Sequence, residues 1–212
     1  MRFNCKEDII QITPLWTGER RSDGRPYVPA DVLNRLRNLT IEEVWKVGWI
    51  KNYNYQFERE LRSTHDPQIP LVGRAVTSVY VPIREDLEIA MKRQAKEQGM
   101  IQSYNQWVVD NLIEDDVIVA DMYDKIKEGT LLGGNLSTAI ASKTKRGGAV
   151  VWGGIRDLAQ IQGIQGINLF YRAIDPTPLR EYVMVGYNTP CRIGHAICLP
   201  GDVVYGCQSG VY

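Results

Sequence analysis

Two glycine pairs, Gly133-Gly134 and Gly153-Gly154, stand one helix and one strand apart and constrain this chain more than any other feature. Each leads into residues that suit a helix start: Asn135-Leu136 after the first, Ile155-Arg156-Asp157 after the second. Between them lie a helical stretch over 135–146, a Gly147-Gly148 stop and a short apolar strand, Ala149-Val150-Val151-Trp152. In a β-α-β-α arrangement both helix starts fall at one end of the sheet, the edge where ligands of open α/β sheets settle. A helix start exposes free backbone N–H groups at the positive end of its dipole and attracts anions. Arg156 adds a planar, two-pronged carboxylate grip, and Asp157 a hard oxygen of the kind Mg²⁺ or Mn²⁺ prefers. The pattern describes a site for a small carboxylate-bearing molecule and a divalent cation. Gly134, Asn135, Leu136 and Ser137 would hold one end of the anion through their backbone, Arg156 the other, and Asp157 the metal.

The rest of the chain supplies a frame for such a site. Residues 1–30 read as an N-terminal arm, rich in turn formers around Thr17-Gly18-Glu19-Arg20 and Asp23-Gly24-Arg25-Pro26. Pro29 and Asp31 introduce a helix, and Thr40 with Glu43 forms a capping box for another. Leu71 to Val81 reads as a strand with small residues on one face, and Asp86 as the cap of a helix that stops at Gly99. A second amphipathic stretch carries Tyr104, Trp107, Val108 and Leu112, and residues 115–121 read as a buried strand with acidic ends. Ile155 to Ile161 is the expected helix after the second glycine pair. Beyond Gly166 the pattern is mostly β, over 168–174, 181–187 and, in short pieces, 196–204. Helices mixed with strands early and strands late give an α/β layered domain over 31–212.

Composition removes several function classes. Lys plus Arg equals Asp plus Glu at 25 each, so no basic surplus points to nucleic acid or an acidic membrane. No apolar run approaches the roughly 20 residues that span a bilayer, and the N-terminal residues lack the apolar centre of a secretory signal. The four cysteines show no C-x-x-C spacing and read as isolated thiols, which suits a reducing cytoplasm. Other candidates are weaker. Asp121, closing a strand just before the first glycine pair, is either a metal ligand or base, or an ordinary strand-terminal turn residue. His65 and His195 lack metal-ligand spacing, Ser137 and Ser142 lack a nucleophile-elbow context, and Lys143 and Lys145 sit in a basic, solvated helix end.

On its Gly-Gly-Asn-Leu turn, its Gly-Gly-Ile-Arg-Asp after a strand, and its Leu199-Pro200-Gly201-Asp202-Val203-Val204 followed by Gly210-Val211, the chain resembles the RraA-like family. The resemblance covers roughly residues 70–212, and the N-terminal stretch is similar to the extension of a longer-chained subgroup. It implies a swivelling β/β/α fold, assembled as a trimer or dimer of trimers with sites between subunits. The family includes class II pyruvate aldolases acting on 4-hydroxy-4-methyl-2-oxoglutarate and related 2-keto acids, and a non-catalytic protein regulator of RNase E. For an aldolase, the resemblance implies that the 134–137 turn and Arg156 bind the pyruvate end. Asp157 then anchors Mg²⁺ or Mn²⁺ mostly through water, and the metal acts as Lewis acid on the 2-keto oxygen. The same chemistry decarboxylates oxaloacetate. The chain departs from the family where Trp152 replaces a common Asp, and where Gln208-Ser209 replace an acidic run before Gly-Val. Fewer carboxylates near the metal imply weaker metal binding, and the altered pocket suits a sugar-acid-derived 2-keto acid.

Overall fold

A computed structural model describes residues 5–66, 68–100 and 102–212. The elements run α1 (Lys6–Ile12), α2 (Ala30–Leu36), α3 (Ile41–Ile50), β1 (Arg62–Ser63), β2 (Leu71–Pro82), α4 (Glu85–Glu97), α5 (Tyr104–Asp110) and β3 (Asp116–Asp121). They continue with α6 (Gly134–Thr144), β4 (Gly148–Ile155), α7 (Leu158–Gln162), β5 (Asn168–Ile174), β6 (Tyr182–Tyr187), β7 (Cys191–Ile193), β8 (Ala196–Cys198), β9 (Val203–Cys207) and β10 (Gly210–Val211).

Strands β2, β3, β4 and β5 are mutually parallel and form the centre of a curled sheet of order β1-β5-β4-β3-β2-β9-β10. The long β2 serves two antiparallel neighbours in succession, β9 along Leu71–Arg74 and β6 along Ser78–Pro82, with a register shift between Val79 and Tyr80. That change of partner curls the sheet into a half-barrel. β3 and β4 are buried along their whole length, as expected of parallel strands covered on both faces.

Alternation along β4 separates the two covers. Ala149, Val151 and Ile155 join Ile140 of α6, Ile161 of α7 and Val108 of α5 in the largest core cluster. Val150 and Trp152 point to the other face, onto Cys191 and Ile193 of the β7–β8 hairpin. A third cluster seats α2 and α3 on β2 and β9 through Leu33, Val44, Val72 and Tyr205. The α/β fold with sheet layers and flanking helices is thus the one expected. Thr40 caps α3, its hydroxyl accepting the Glu43 N–H while Glu43 accepts the Thr40 N–H.

Three boundaries differ from expectation. Gly153 and Gly154 are not a turn but the last part of β4, and Ile155, expected to open a helix, closes the strand opposite Ile174. The glycines are required by close approach: a Cβ on Gly153 would lie 2.8 Å from Cβ of Met122, and one on Gly154 3.1 Å from the Ile126 carbonyl. Helix α4 starts at Glu85 with Arg84 as its cap, so Asp86 sits inside the first turn, where the dipole still favours it.

The stretch read as an arm carries structure of its own. Its described part includes α1 and a bridge between Arg20 and Pro26, and Arg25 is only 2% exposed. Arg25 reaches Asp116 at 3.3 Å and Asp23 at 2.8 Å, while Arg74 approaches the other Asp116 oxygen at 3.6 Å. Asp115 next door pairs with Arg37 at 3.0 Å and Arg146 at 3.4 Å. Two buried carboxylates at the start of β3 therefore gather charges from the N-terminal stretch, α2's end, β2 and α6's end. Removing one partner of a buried pair strands the other charge, which costs about 3–5 kcal/mol. Arg25→Ala is expected to lower stability by about 3 kcal/mol in urea denaturation; a loss within about 0.5 kcal/mol would show the anchor to be dispensable.

Candidate functional site

Parallel pairing sets the site. Asp121 of β3 lies opposite Trp152 of β4, and the chain leaving β3 returns along β4's end. There the Leu131 N–H donates to the Gly154 carbonyl and the Arg156 N–H to the Leu132 carbonyl, at 3.0 and 2.9 Å. This short extra ladder places Gly133, the cap residue of α6, directly against Arg156 and Asp157. A Cβ on Gly133 would stand 2.5 Å from Oδ2 of Asp157 and 2.8 Å from Nε of Arg156. Only glycine leaves that space clear.

Asp157 adopts a left-handed conformation, φ 58°, which Asp tolerates better than most residues, and it caps the short α7. The twist turns its carboxylate toward the neighbouring helix, where Oδ2 accepts the Gly134 N–H at 3.1 Å. Oδ2 also lies 3.6 Å from Nε of Arg156. The guanidinium is held on its far side by Thr130, whose hydroxyl accepts from Nη1 at 3.3 Å and donates to the Thr177 carbonyl at 2.6 Å. Arg156 is 24% and Asp157 45% exposed, so the pair faces solvent and can exchange partners.

The first turn of α6 completes the arrangement. The N–H groups of Asn135 and Leu136 have no helical carbonyl four residues back and remain available to an anion. Ser137 differs: its N–H already donates to the Gly133 carbonyl at 3.0 Å, and its hydroxyl is buried without a partner among the described residues. The structure thus brings Gly134, Asn135, Leu136, Arg156 and Asp157 together, and leaves Ser137 behind them in the helix. Asp157 takes only the Gly134 N–H, so the N–H groups of Asn135 and Leu136 stay open beside it.

Asp157 is a single exposed carboxylate, and no group of three or more His, Cys, Asp or Glu side chains gathers among the described residues. One carboxylate plus waters is nevertheless a mode Mg²⁺ accepts, since it dehydrates reluctantly. Oδ1 of Asp157 has no hydrogen bond among the described residues, so the donor set fits a largely hydrated ion.

The other candidates lie elsewhere. Asp121 points its oxygens to the Tyr123 N–H at 2.7 Å and to Arg192 at 3.6 Å, and burial raises its pKa from the ordinary value. No hydrogen bond or ion pair joins it to Arg156 or Asp157 among the described residues. Trp152 faces the hairpin side with Arg172 stacked 4.5 Å over its ring, so it leaves the α6 face untouched. His65 pairs with Thr64, and His195 sits in the β7–β8 turn, its N–H donated to Glu58. Lys145 meets Glu114 on the surface, as its helix-end position implied.

Two residues escaped the sequence reading. Thr130 positions Arg156, and Gln160 lays its amide on the Cα of Gly134 at the mouth of the site. For Gln160 a signal existed: it lies three residues after Asp157, the spacing that shares a helix face. Thr130 carried none.

A family model of RraA-like proteins, described as Aldolase/RraA, matches residues 41–212. It starts well before the 70 expected from motifs, at the head of α3. Among solved structures, one described as coming from novel cellulases of gut-associated microbes has 22% identity and TM-score 0.70, covering 91% of this chain and 80% of its own. Streptomyces coelicolor RraAS2, described as an unusual member of the RNase ES inhibitor RraA family, has 18% identity and TM-score 0.66, covering 92% and 85%. The RNA-processing inhibitor RraA of Thermus thermophilis has 20% identity and TM-score 0.53, covering 76% and 87%. At these identities the likeness establishes the shared fold. No curated protein matches the sequence.

The close contact at Gly133 gives a direct test. Gly133→Ala is expected to keep the fold, with Tm within about 5 °C of the parent. Its added methyl would displace Asp157 and weaken Mn²⁺ binding about ten-fold by calorimetry; unchanged Mn²⁺ binding would separate Asp157 from the metal.

Proposed function

The chain belongs to the RraA-like family, and on that premise we propose that it is a divalent-metal-dependent lyase of a 2-keto acid, of the pyruvate aldolase or oxaloacetate decarboxylase type. The observation that carries this reading is the meeting of Arg156, Asp157 and the open first turn of α6 at the carboxyl edge of the parallel strands. In this reading the substrate carboxylate takes the Asn135 and Leu136 N–H groups, and the Arg156 guanidinium holds the adjoining carbonyl region. Thr130 keeps that guanidinium turned to the substrate. Mg²⁺ or Mn²⁺, held by Asp157 and its waters, would supply Lewis acidity at the 2-keto oxygen. The neutral amide of Gln160 at the mouth suits a hydroxylated distal group, as in a sugar-acid derivative, better than a second carboxylate. A homo-oligomer with sites near subunit boundaries completes the proposal.

A second reading, a non-catalytic regulator of the RNase E inhibitor type, draws on a different surface. Trp45 and Trp49 stack at 5.2 Å on α3 and remain exposed, an aromatic face suited to a protein partner.

Pyruvate release from oxaloacetate and from 4-hydroxy-4-methyl-2-oxoglutarate, with Mg²⁺ or Mn²⁺ and then with EDTA, separates the two readings. The lyase reading expects metal-dependent release in the parent. Asp157→Ala loses the metal dependence, and Arg156→Ala lowers kcat/KM about 100-fold or more. Equal activity in all three proteins would remove this site from consideration. Silence across a 2-keto acid panel, with stoichiometric capture of a protein partner, would favour the regulator.

A further inference from the structure

On the hairpin side of the sheet, away from Arg156 and Asp157, a cavity of about 700 Å³ opens between the N-terminal elements and the β7–β9 region. Its floor is Val119 and Val150, on the inner face of the curled sheet, and its mouth carries the exposed Leu15, Val47 and Ile197. It therefore runs from the surface to the centre of the half-barrel. The walls come from α2 and α3 on one side and β8 and β9 on the other. The volume lies in the range of small-molecule pockets, roughly 300–1,000 Å³ lined mainly by apolar groups.

The charge of the lining is one-sided. Glu43, Glu58 and Asp202 reach the cavity, and among the described residues no Lys, Arg or His does. Glu58 is the most telling of these, being only 5% exposed. It accepts the Glu60 N–H at 2.8 Å and the His195 N–H at 3.3 Å but has no ion pair among the described residues. Asp202 is more exposed; it accepts the Leu199 N–H at 2.8 Å through one oxygen and has no ion pair among the described residues. A buried carboxylate ordinarily gains a counter-charge; Glu58 has only backbone N–H partners among the described residues. A fatty acid or a sugar acid would add a further negative charge to that set.

We infer that this cavity binds a small apolar molecule bearing an amine, its hydrocarbon part against Val119 and Val150 and its ammonium toward Glu58 and Asp202. The site shares no residue with the Arg156–Asp157 site, so its occupancy is independent of the lyase reading. The chemistry selects for positive charge at one end of a hydrophobic body, the pairing that charge complementarity and apolar lining together favour.

The test uses octylammonium, 1-octanol and octanoate as probes on the intact protein, by calorimetry and by the fluorescence of Trp16, which lines the cavity. Octylammonium is expected to bind saturably at one site, about ten-fold or more tighter than octanol and tighter still than octanoate. Glu58→Gln combined with Asp202→Asn should bring the amine down to the octanol level with the shape of the cavity kept. Ala196→Phe, placed on the wall, should remove binding of the amine and the alcohol. Circular dichroism and the thermal transition report whether each variant is folded. Equal affinity for all three probes, tighter octanoate, or no binding to the folded parent would each overturn the inference. So would an oligomer, seen by sedimentation, that Ala196→Phe dissociates while the parent takes up no amine, since a second copy would then occupy the mouth.

Discussion

The parallel pairing of β3 with β4 is the constraint on which the rest depends. Because both strands run the same way, both chains leave the sheet at one edge, and the helices that follow begin there. The extra ladder from Leu131–Leu132 to Gly154–Arg156 then fixes the separation of the two helix starts. Gly133 permits the final approach, since any side chain there would collide with Asp157. A left-handed Asp157 turns its carboxylate back across the gap to the α6 N terminus. Each step is local, and together they put a guanidinium, a carboxylate and free N–H groups within one ligand's reach.

At the opposite end of β3 a different balance applies. Asp115 and Asp116 are buried charges that would be costly alone. Arginines from four parts of the chain surround them. The network ties the N-terminal stretch and the ends of α2 and α6 to the start of β3. That docking has a functional side. Val28, Leu36 and Val44 of the docked stretch form part of the wall of the apolar cavity. The two ends of one strand thus support two separate pockets, one polar and exposed, the other apolar and deep.

Much of this was legible in the sequence, because the signals were short-range. The capping box at Thr40 and Glu43 and the apolar runs of β3 and β4 follow from residues within one element. The RraA-like resemblance likewise rested on three spaced motifs, and the family model extends it to residue 41. What misled was punctuation whose cause is tertiary. Gly153 and Gly154 look like a turn, yet they stay in a strand because the loop after β3 presses on them. Arg25 looks like part of a polar arm, yet its partner Asp116 lies 91 residues away. Thr130 orients Arg156 from a loop without periodicity, and the approach of Arg192 to Asp121 joins residues far apart in the chain.

The central claim, that Asp157 and Arg156 over the first turn of α6 form a metal and 2-keto-acid site, is tested most directly by diffraction. Crystals soaked with Mn²⁺ and pyruvate would locate the metal by its anomalous signal. The account predicts a manganese peak beside the Asp157 carboxylate, with the pyruvate carboxylate on the Asn135 and Leu136 N–H groups and its carbonyl side against Arg156. Manganese bound at Asp121 or elsewhere, with Asp157 still capping Gly134 in the presence of both ligands, would contradict it.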